Sequence, residues 1–219
     1  MHSAQSNGMI CNHIEKHIGV IDHVFKEIIS DVLSIDILIV EPTPARNFYT
    51  LITSGMSELP MKVPSGASEY QYAELMICLP PSWKMSDEAF KDERIYWPLR
   101  ALKTLARFPH EYNTWLYLGH TLVNGHPAQP YSEGIGFEGM LVWIPAVEDK
   151  SGFFNLNMSS EKTVHFYSLI PLYKEELEYK TKHGEEALLN RLNKIGINDV
   201  LDLLDPLRKN SCKKLWGLF

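Results

Sequence analysis

Between Ile10 and Leu33 apolar residues return at helical spacing. Ile14, Ile18, Ile21, Phe25, Ile28 and Ile29 share one stripe, while Glu15, Lys16, Asp22 and Lys26 lie off it. That period predicts an amphipathic helix. The period then drops to two: in SIDILIVEP, Ile35, Ile37 and Ile39 alternate with Asp36, Leu38 and Val40. RNFYTLITSG, from Arg46 to Gly55, is rich in aromatic and β-branched residues. These are two strands, and the short PTPAR link makes them a hairpin. Gly55, Pro60 and Pro64 keep the next stretch an ordered loop.

From Tyr72 to Leu79 the chain is nearly continuously apolar, as a central strand covered on both faces requires. Glu74 interrupts it. A carboxylate there faces solvent, is paired, or is an acid with a shifted pKa. After Pro80 and Pro81, Ser86 suits a helix N-cap, with Asp87 and Glu88 in the first turn. Pro98 is best tolerated in a first helical turn, so a helix is expected from about Trp97. It should stop by Arg107 or Phe108, because Pro109 disfavours helix in the residue before it. Ile95, Leu99, Leu102 and Ala106 form its buried stripe; Arg100, Lys103 and Arg107 form a basic stripe, read as a solvated face.

TWLYLGHTLVNG reads as a strand leading to an Asn124–Gly125 turn, HPAQPYSEGIG as a loop, and GMLVWIP and TVHFYSLIPLY as strands. KEELEYKTKHG is a helix closed by Gly184, and EEALLNRLNKIG a shorter one closed by Gly196. Asn198 caps NDVLDLLD, which Pro206 stops. The apolar tail with Trp216, Leu218 and Phe219 is expected to dock on the body. The class is α+β: a mixed, largely antiparallel sheet flanked by helices. No linker divides the chain, so a single domain is expected over residues 1–219, with its core at about 14–192 and a C-terminal helical extension at 193–219.

Composition narrows the function. A formal charge of −6 opposes generic nucleic-acid binding, which needs a basic footprint. Cys11, Cys78 and Cys212 are far apart and lack C-x-x-C spacing, which argues against a disulfide framework or zinc site and for a reducing compartment. MHSAQSNGMI has neither a charged nor a long apolar region of signal-peptide type, and no run approaches the roughly 18–20 apolar residues of a membrane span. The expectation is a soluble, cytoplasmic protein.

Catalytic motifs fail on context. Gly134, Gly136 and Gly139 match G-x-G-x-x-G, but they open a strand instead of following one and opening a helix. They are read as loop and bulge glycines. His13 and His17 are four apart, yet Ile14 stands where a metalloprotease helix needs Glu, so they are read as surface or capping histidines. His110, Glu111, His120 and His126 could be imagined as a metal or acid/base group, but the nine to ten residues from Glu111 and His110 to His120 match no metal rhythm. There is no G-x-S-x-G elbow and no P-loop, and Cys78 lies in a strand expected to be buried. No cofactor is expected.

ERIYWPLRALKTLARFPHEYNTWLYLGHTLVNG, preceded by NFYTLITSGMSELPM and YAELMICLPPSW and followed by FYSLIPLYKEELEYK, resembles the Suppressor of Fused family. The resemblance runs from about Ile14 to Leu192 and is closest to small stand-alone bacterial members. One departure is GFEGMLVWIP, which lacks cysteines that family members often carry before this strand. The resemblance implies binding, not catalysis. Animal members sequester zinc-finger transcription factors, gripping an extended peptide between two domains. Only the N-terminal type of domain is present here, which puts a two-domain clamp in doubt. Many bacterial members look like immunity proteins that neutralise a cognate secreted toxin. The segment resembling the peptide-binding region includes LARF and LGH, which implies Phe108, His110, Glu111, Tyr112 and His120 as partner-binding residues. The expected partner is a cognate toxin or an extended peptide, with no nucleic acid and no membrane. The alternatives are a peptide-binding adaptor and a metal- or small-ligand-binding enzyme using the His110/His120 region.

Overall fold

Strand β4 (Tyr72–Leu79) is the middle of an eight-stranded sheet. The computed structural model describes residues 2–27, 33–145, 147–197, 205 and 208–213. The other strands are β1 (His23–Phe25), β2 (Asp36–Val40), β3 (Tyr49–Ser54), β5 (Thr121–Val123), β6 (Phe137–Trp143), β7 (Asn155–Asn157) and β8 (Thr163–Tyr173). The order is β1-β2-β3-β4-β8-β6-β5, with β7 also paired to β8. Among the described residues only β4 and β8 run parallel; the other pairings are antiparallel. The sheet is therefore mixed and mostly antiparallel, as the alternation pattern predicts. The β2–β3 hairpin is present, in register from Asp36↔Ser54 to Val40↔Thr50.

Helices cover both faces. Helix α2 (Glu93–Glu111) buries Trp97, Leu99 and Leu102 against Ile37, Leu75 and Ile77. On the opposite face α1 (His2–His17) sets Ile10 and Ile14 on Met76 and Phe166. The pair α4 (Lys174–His183) and α5 (Glu185–Asn193) covers the rest of that face, with Leu188 and Leu192 packed on Leu141, Ile170 and Leu172. Each such leucine contributes about 1.5–3 kcal/mol by burial.

Five expectations are corrected. The first helix spans His2–His17, not Ile10 to Leu33. The amides of Ile18 and Gly19 both return to the Ile14 carbonyl, and the chain then turns into β1. Ile21 and Phe25 thus match a helical period without being helical, while Ile28 and Ile29 lie outside the described residues. His13 and His17 do not lie on the surface. His13 is buried between the Phe153 and Phe166 rings, and His17 packs beside it on α3 (Lys150–Phe153), facing Asp149 at 3.4 Å.

Helix α2 also exceeds its expected limits. Asp92 caps it by accepting the Arg94 amide at 3.0 Å, five residues before Trp97, and it passes through Pro98 and Pro109 to Glu111. Both prolines are buried, so packing outweighs the hydrogen bond each removes. Nor is the basic stripe a solvated face. Lys103 is 8% exposed, with its Nζ 4.8 Å from the Phe25 ring centroid and 3.8 Å from Glu27 Oε1. Arg107 bonds Glu27 and the Leu33 carbonyl, and Arg100 bonds Glu93 and the Tyr131 carbonyl. A stripe on the helix surface becomes a clamp once β1 is laid across it.

The strand expected from Thr114 shrinks to Thr121–Val123, and α3, β7 and β1 are additions that no pattern marked. The helix expected from Asn198 to Pro206 and the Trp216–Phe219 tail fall largely or wholly outside the described residues.

Candidate partner-binding groove

The loop after β3 sets the position of α2's last turn. Glu74, 0% exposed, accepts hydrogen bonds from Thr53 Oγ1 (2.5 Å), Gly55 N (3.1 Å), Ser57 N (3.0 Å) and Ser57 Oγ (2.7 Å). Gly55 is obligatory: its φ is 132°, and a Cβ there would lie 2.1 Å from the Ser34 carbonyl oxygen. Glu74 is thus paired, as one reading of the sequence has it, and it pins a loop. That loop presents the Met56 carbonyl to His110 Nε2 at 3.2 Å. Burial pushes the Glu74 pKa up, against the opposing pull of Thr53, Ser57 and Gly55.

Beyond this turn a groove of about 750 Å³ opens between the C-terminal half of α2 and β5. Leu105, Phe108, Glu111 and Tyr112 form its α2 wall; Thr121, Leu122 and Val123 form its floor. Tyr112 is 68% and Val123 54% exposed, so both rims of the groove present apolar surface to solvent. Phe108 and Tyr112 lie one helical turn apart, with ring centroids at 4.8 Å. At the far end Tyr131 stacks on Trp97 at 5.1 Å, and its carbonyl accepts from Arg100 Nη2 at 2.6 Å. β5 ends the strand order. It pairs with β6 on one side, and among the described residues no strand covers its other side.

The glycine-rich stretch shapes this edge. Gly139 pairs with Val123 beside a register shift in β6, and a Cβ on it would lie 2.6 Å from the Leu122 carbonyl oxygen and 3.0 Å from Leu177 of α4. These glycines are loop and bulge residues, as their context predicts, and they let α4 pass close behind the β5–β6 pair.

The structure brings together four of the five residues implied for partner binding: Phe108, Glu111, Tyr112 and His120 all line the groove. His110 turns away to the Met56 carbonyl. It therefore does not join Glu111, His120 and His126, which do line the groove, and among the described residues no three His, Cys, Asp or Glu side chains converge as a metal site. Burial lowers the pKa of both His110 and His120, so both are neutral near pH 7. His120 packs edge-on against Trp115 at 5.2 Å. Sequence reasoning missed Thr104, Val123, Tyr131 and Lys180 as lining residues. Val123 has a signal, as an apolar residue one step before Asn124–Gly125; Lys180 has none, because only tertiary folding brings α4 there.

The arrangement is an α+β scaffold presenting a groove beside a sheet edge that no strand covers among the described residues. The profile of the Suppressor of fused protein (SUFU) family matches residues 31–209, and the chain belongs to that family. A Suppressor of Fused homolog from Neisseria gonorrhoeae shares the fold with a TM-score of 0.67 and 18% identity, over 96% of this chain and 99% of that one. A chain of the Sufu–Fu complex aligns with a TM-score of 0.65 and 16% identity, over 94% and 92% of the two chains. Drosophila Suppressor of Fused aligns with a TM-score of 0.54 and 16% identity, over 81% of this chain but 42% of its own. A search of curated proteins found no significant match.

Proposed function

We propose that this chain is a non-catalytic protein-binding domain that takes an extended segment of its partner into the α2–β5 groove. One observation carries the reading: exposed Tyr112 and Val123 flank a groove that runs along an unpaired strand edge. Such an edge supplies main-chain hydrogen bonds to an added strand, and the groove supplies pockets for its side chains. A family member solved in the Sufu–Fu complex supports partner binding as the activity. The specific role we assign is that of a bacterial, cytoplasmic immunity protein, which holds a cognate secreted toxin inactive by direct contact. The charge of −6 suits a basic toxin, since opposite potentials speed association.

The test is isothermal titration of the purified protein with the toxin domain encoded beside it, together with growth of cells expressing both. Tight stoichiometric binding and protection are expected, both weakened by Tyr112→Ala. No binding and no protection would overturn the immunity role. Binding of a short linear segment from another protein in the same groove would favour an adaptor.

A further inference from the structure

The two sides of the groove carry opposite charges that nothing in the described chain neutralises. Glu111 closes α2 on one wall. Lys180 comes from α4, behind the β5–β6 pair, and lines the groove from the other side. Among the described residues neither has an ion-pair or side-chain hydrogen-bond partner. Arg100, which also lines the groove, is by contrast bound to Glu93 and to the Tyr131 carbonyl. The field at each position is local. α2 ends at Glu111, so the partial negative charge of its last carbonyls adds to that carboxylate. Lys180 acts on His120, the imidazole at the groove's floor, and adds a positive potential on that side, although the Glu185 carboxylate lies beside the neighbouring Gly119.

A strand laid along the outer edge of β5 points successive side chains to opposite faces. The Leu122 side chain marks the α2 face, since it packs in the same core as α2. Thr121 and Val123 mark the other face, behind which α4 passes: Leu177 sits one turn before Lys180 and reaches Gly139, the register partner of Val123. A bound segment therefore meets Glu111 from one of its faces and Lys180 from the other.

On the reading that the groove takes an extended segment, we propose that the segment it selects is charge-patterned. A Lys or Arg faces Glu111, an Asp or Glu faces Lys180, the two are an odd number of positions apart, and an apolar residue on the α2 face packs on Phe108 and Tyr112. A segment with the charges exchanged meets like charge on both sides, which is how an exposed groove rejects wrong partners.

The probe is a library of random peptides displayed on phage and selected against the full chain, in parallel with Lys180→Glu and Glu111→Lys. Glu111 is exposed and Lys180 half-buried, and circular dichroism and thermal melting check that each variant folds. From the unaltered chain we expect enriched peptides with one acid and one base at odd spacing beside an apolar residue. Lys180→Glu should replace the acid by a base and weaken the parent peptide about tenfold, which is about 1.4 kcal/mol; Glu111→Lys should do the converse. Enriched peptides that compete through Tyr112 but keep the same charges in both variants would overturn this inference and leave the groove reading intact. If no peptide is enriched, or if binding is indifferent to Tyr112→Ala, both fall together.

Discussion

Arg208 and Glu176 form a buried, doubly hydrogen-bonded ion pair, Nη1 to Oε1 at 2.9 Å and Nη2 to Oε2 at 2.7 Å. The guanidinium also lies 4.8 Å from the centroids of Phe137 and Tyr173, and Glu176 accepts the Tyr173 amide that opens α4. Ser211 adds two more bonds to the same carboxylate, so the segment from Arg208 to Ser211 is tied to the start of α4. Removing one partner strands a buried charge. Arg208→Met or Glu176→Leu should therefore each cost about 3–5 kcal/mol, and the double variant clearly less than their sum. Urea unfolding of the four proteins checks this. Additive losses would show that the two side chains act independently.

Glu27, two residues beyond β1, ties the end of that strand to α2. Its carboxylate accepts the Ile35 amide at 2.9 Å, pairs with Arg107 and faces Lys103. Burial raises its pKa, but the Ile35 amide, Arg107 and Lys103 more than offset that, and the net shift is downward. A carboxylate with a lowered folded pKa contributes stability that is fully present above its unfolded value of about 4.3. That stability is lost as the pH falls through the folded value. Glu27→Gln should cost about 1–3 kcal/mol at pH 7 and flatten the acid limb of stability against pH. Urea midpoints of the two proteins would be compared across that range; parallel acid limbs would remove Glu27 from the account.

The strands and the buried stripe of α2 were legible because period and burial agree there: Leu99, Leu102 and Ala106 are fully buried, as their spacing predicts. What misled was a period with a second explanation. Ile21 and Phe25 continue the helical stripe of α1, but Phe25 belongs to a strand whose ring packs on Phe90 and Tyr96. The charges on α2 read as solvated because their partners, Glu27 and the Tyr131 carbonyl, are distant in sequence. The groove was half legible for the same reason. Phe108, Glu111 and Tyr112 sit on one helical turn, whereas Val123, Tyr131 and Lys180 reach it only through the sheet and α4.

Glu74 works with the opposite sign to Glu27. Burial holds its folded pKa above the ordinary carboxyl range. Its contribution is fully present below the unfolded value of about 4.3 and declines as the pH rises through the folded one. Glu74→Gln keeps the shape and removes that decline, so the variant should gain on the parent as the pH rises above the unfolded value of about 4.3. Glu74→Ala instead leaves two amides and two hydroxyls without their acceptor, and should cost about 3 kcal/mol or more. Hydrogen exchange would localise the loss: amides of Gly55 and Ser57 should open first. Uniform loosening of the whole sheet would contradict a role confined to this loop.

The last prediction separates the groove from the core of the helix that lines it. Leu102 stands within α2 and Tyr112 caps its C-terminus, ten residues on in the chain, but Leu102 is fully buried and Tyr112 projects into solvent. Leu102→Ala opens a cavity and should cost about 2–5 kcal/mol. Tyr112→Ala loses little more than one half-open ring contact with Phe108, so its stability should stay within about 0.5 kcal/mol of the parent. If the ring serves recognition, its loss should still weaken partner binding about tenfold or more, as truncation of an aromatic anchor does. Thermal melts and titration calorimetry on the two variants give the four numbers needed. A Tyr112→Ala protein that melts normally and binds normally would show that this side chain, however exposed, is not where the partner sits.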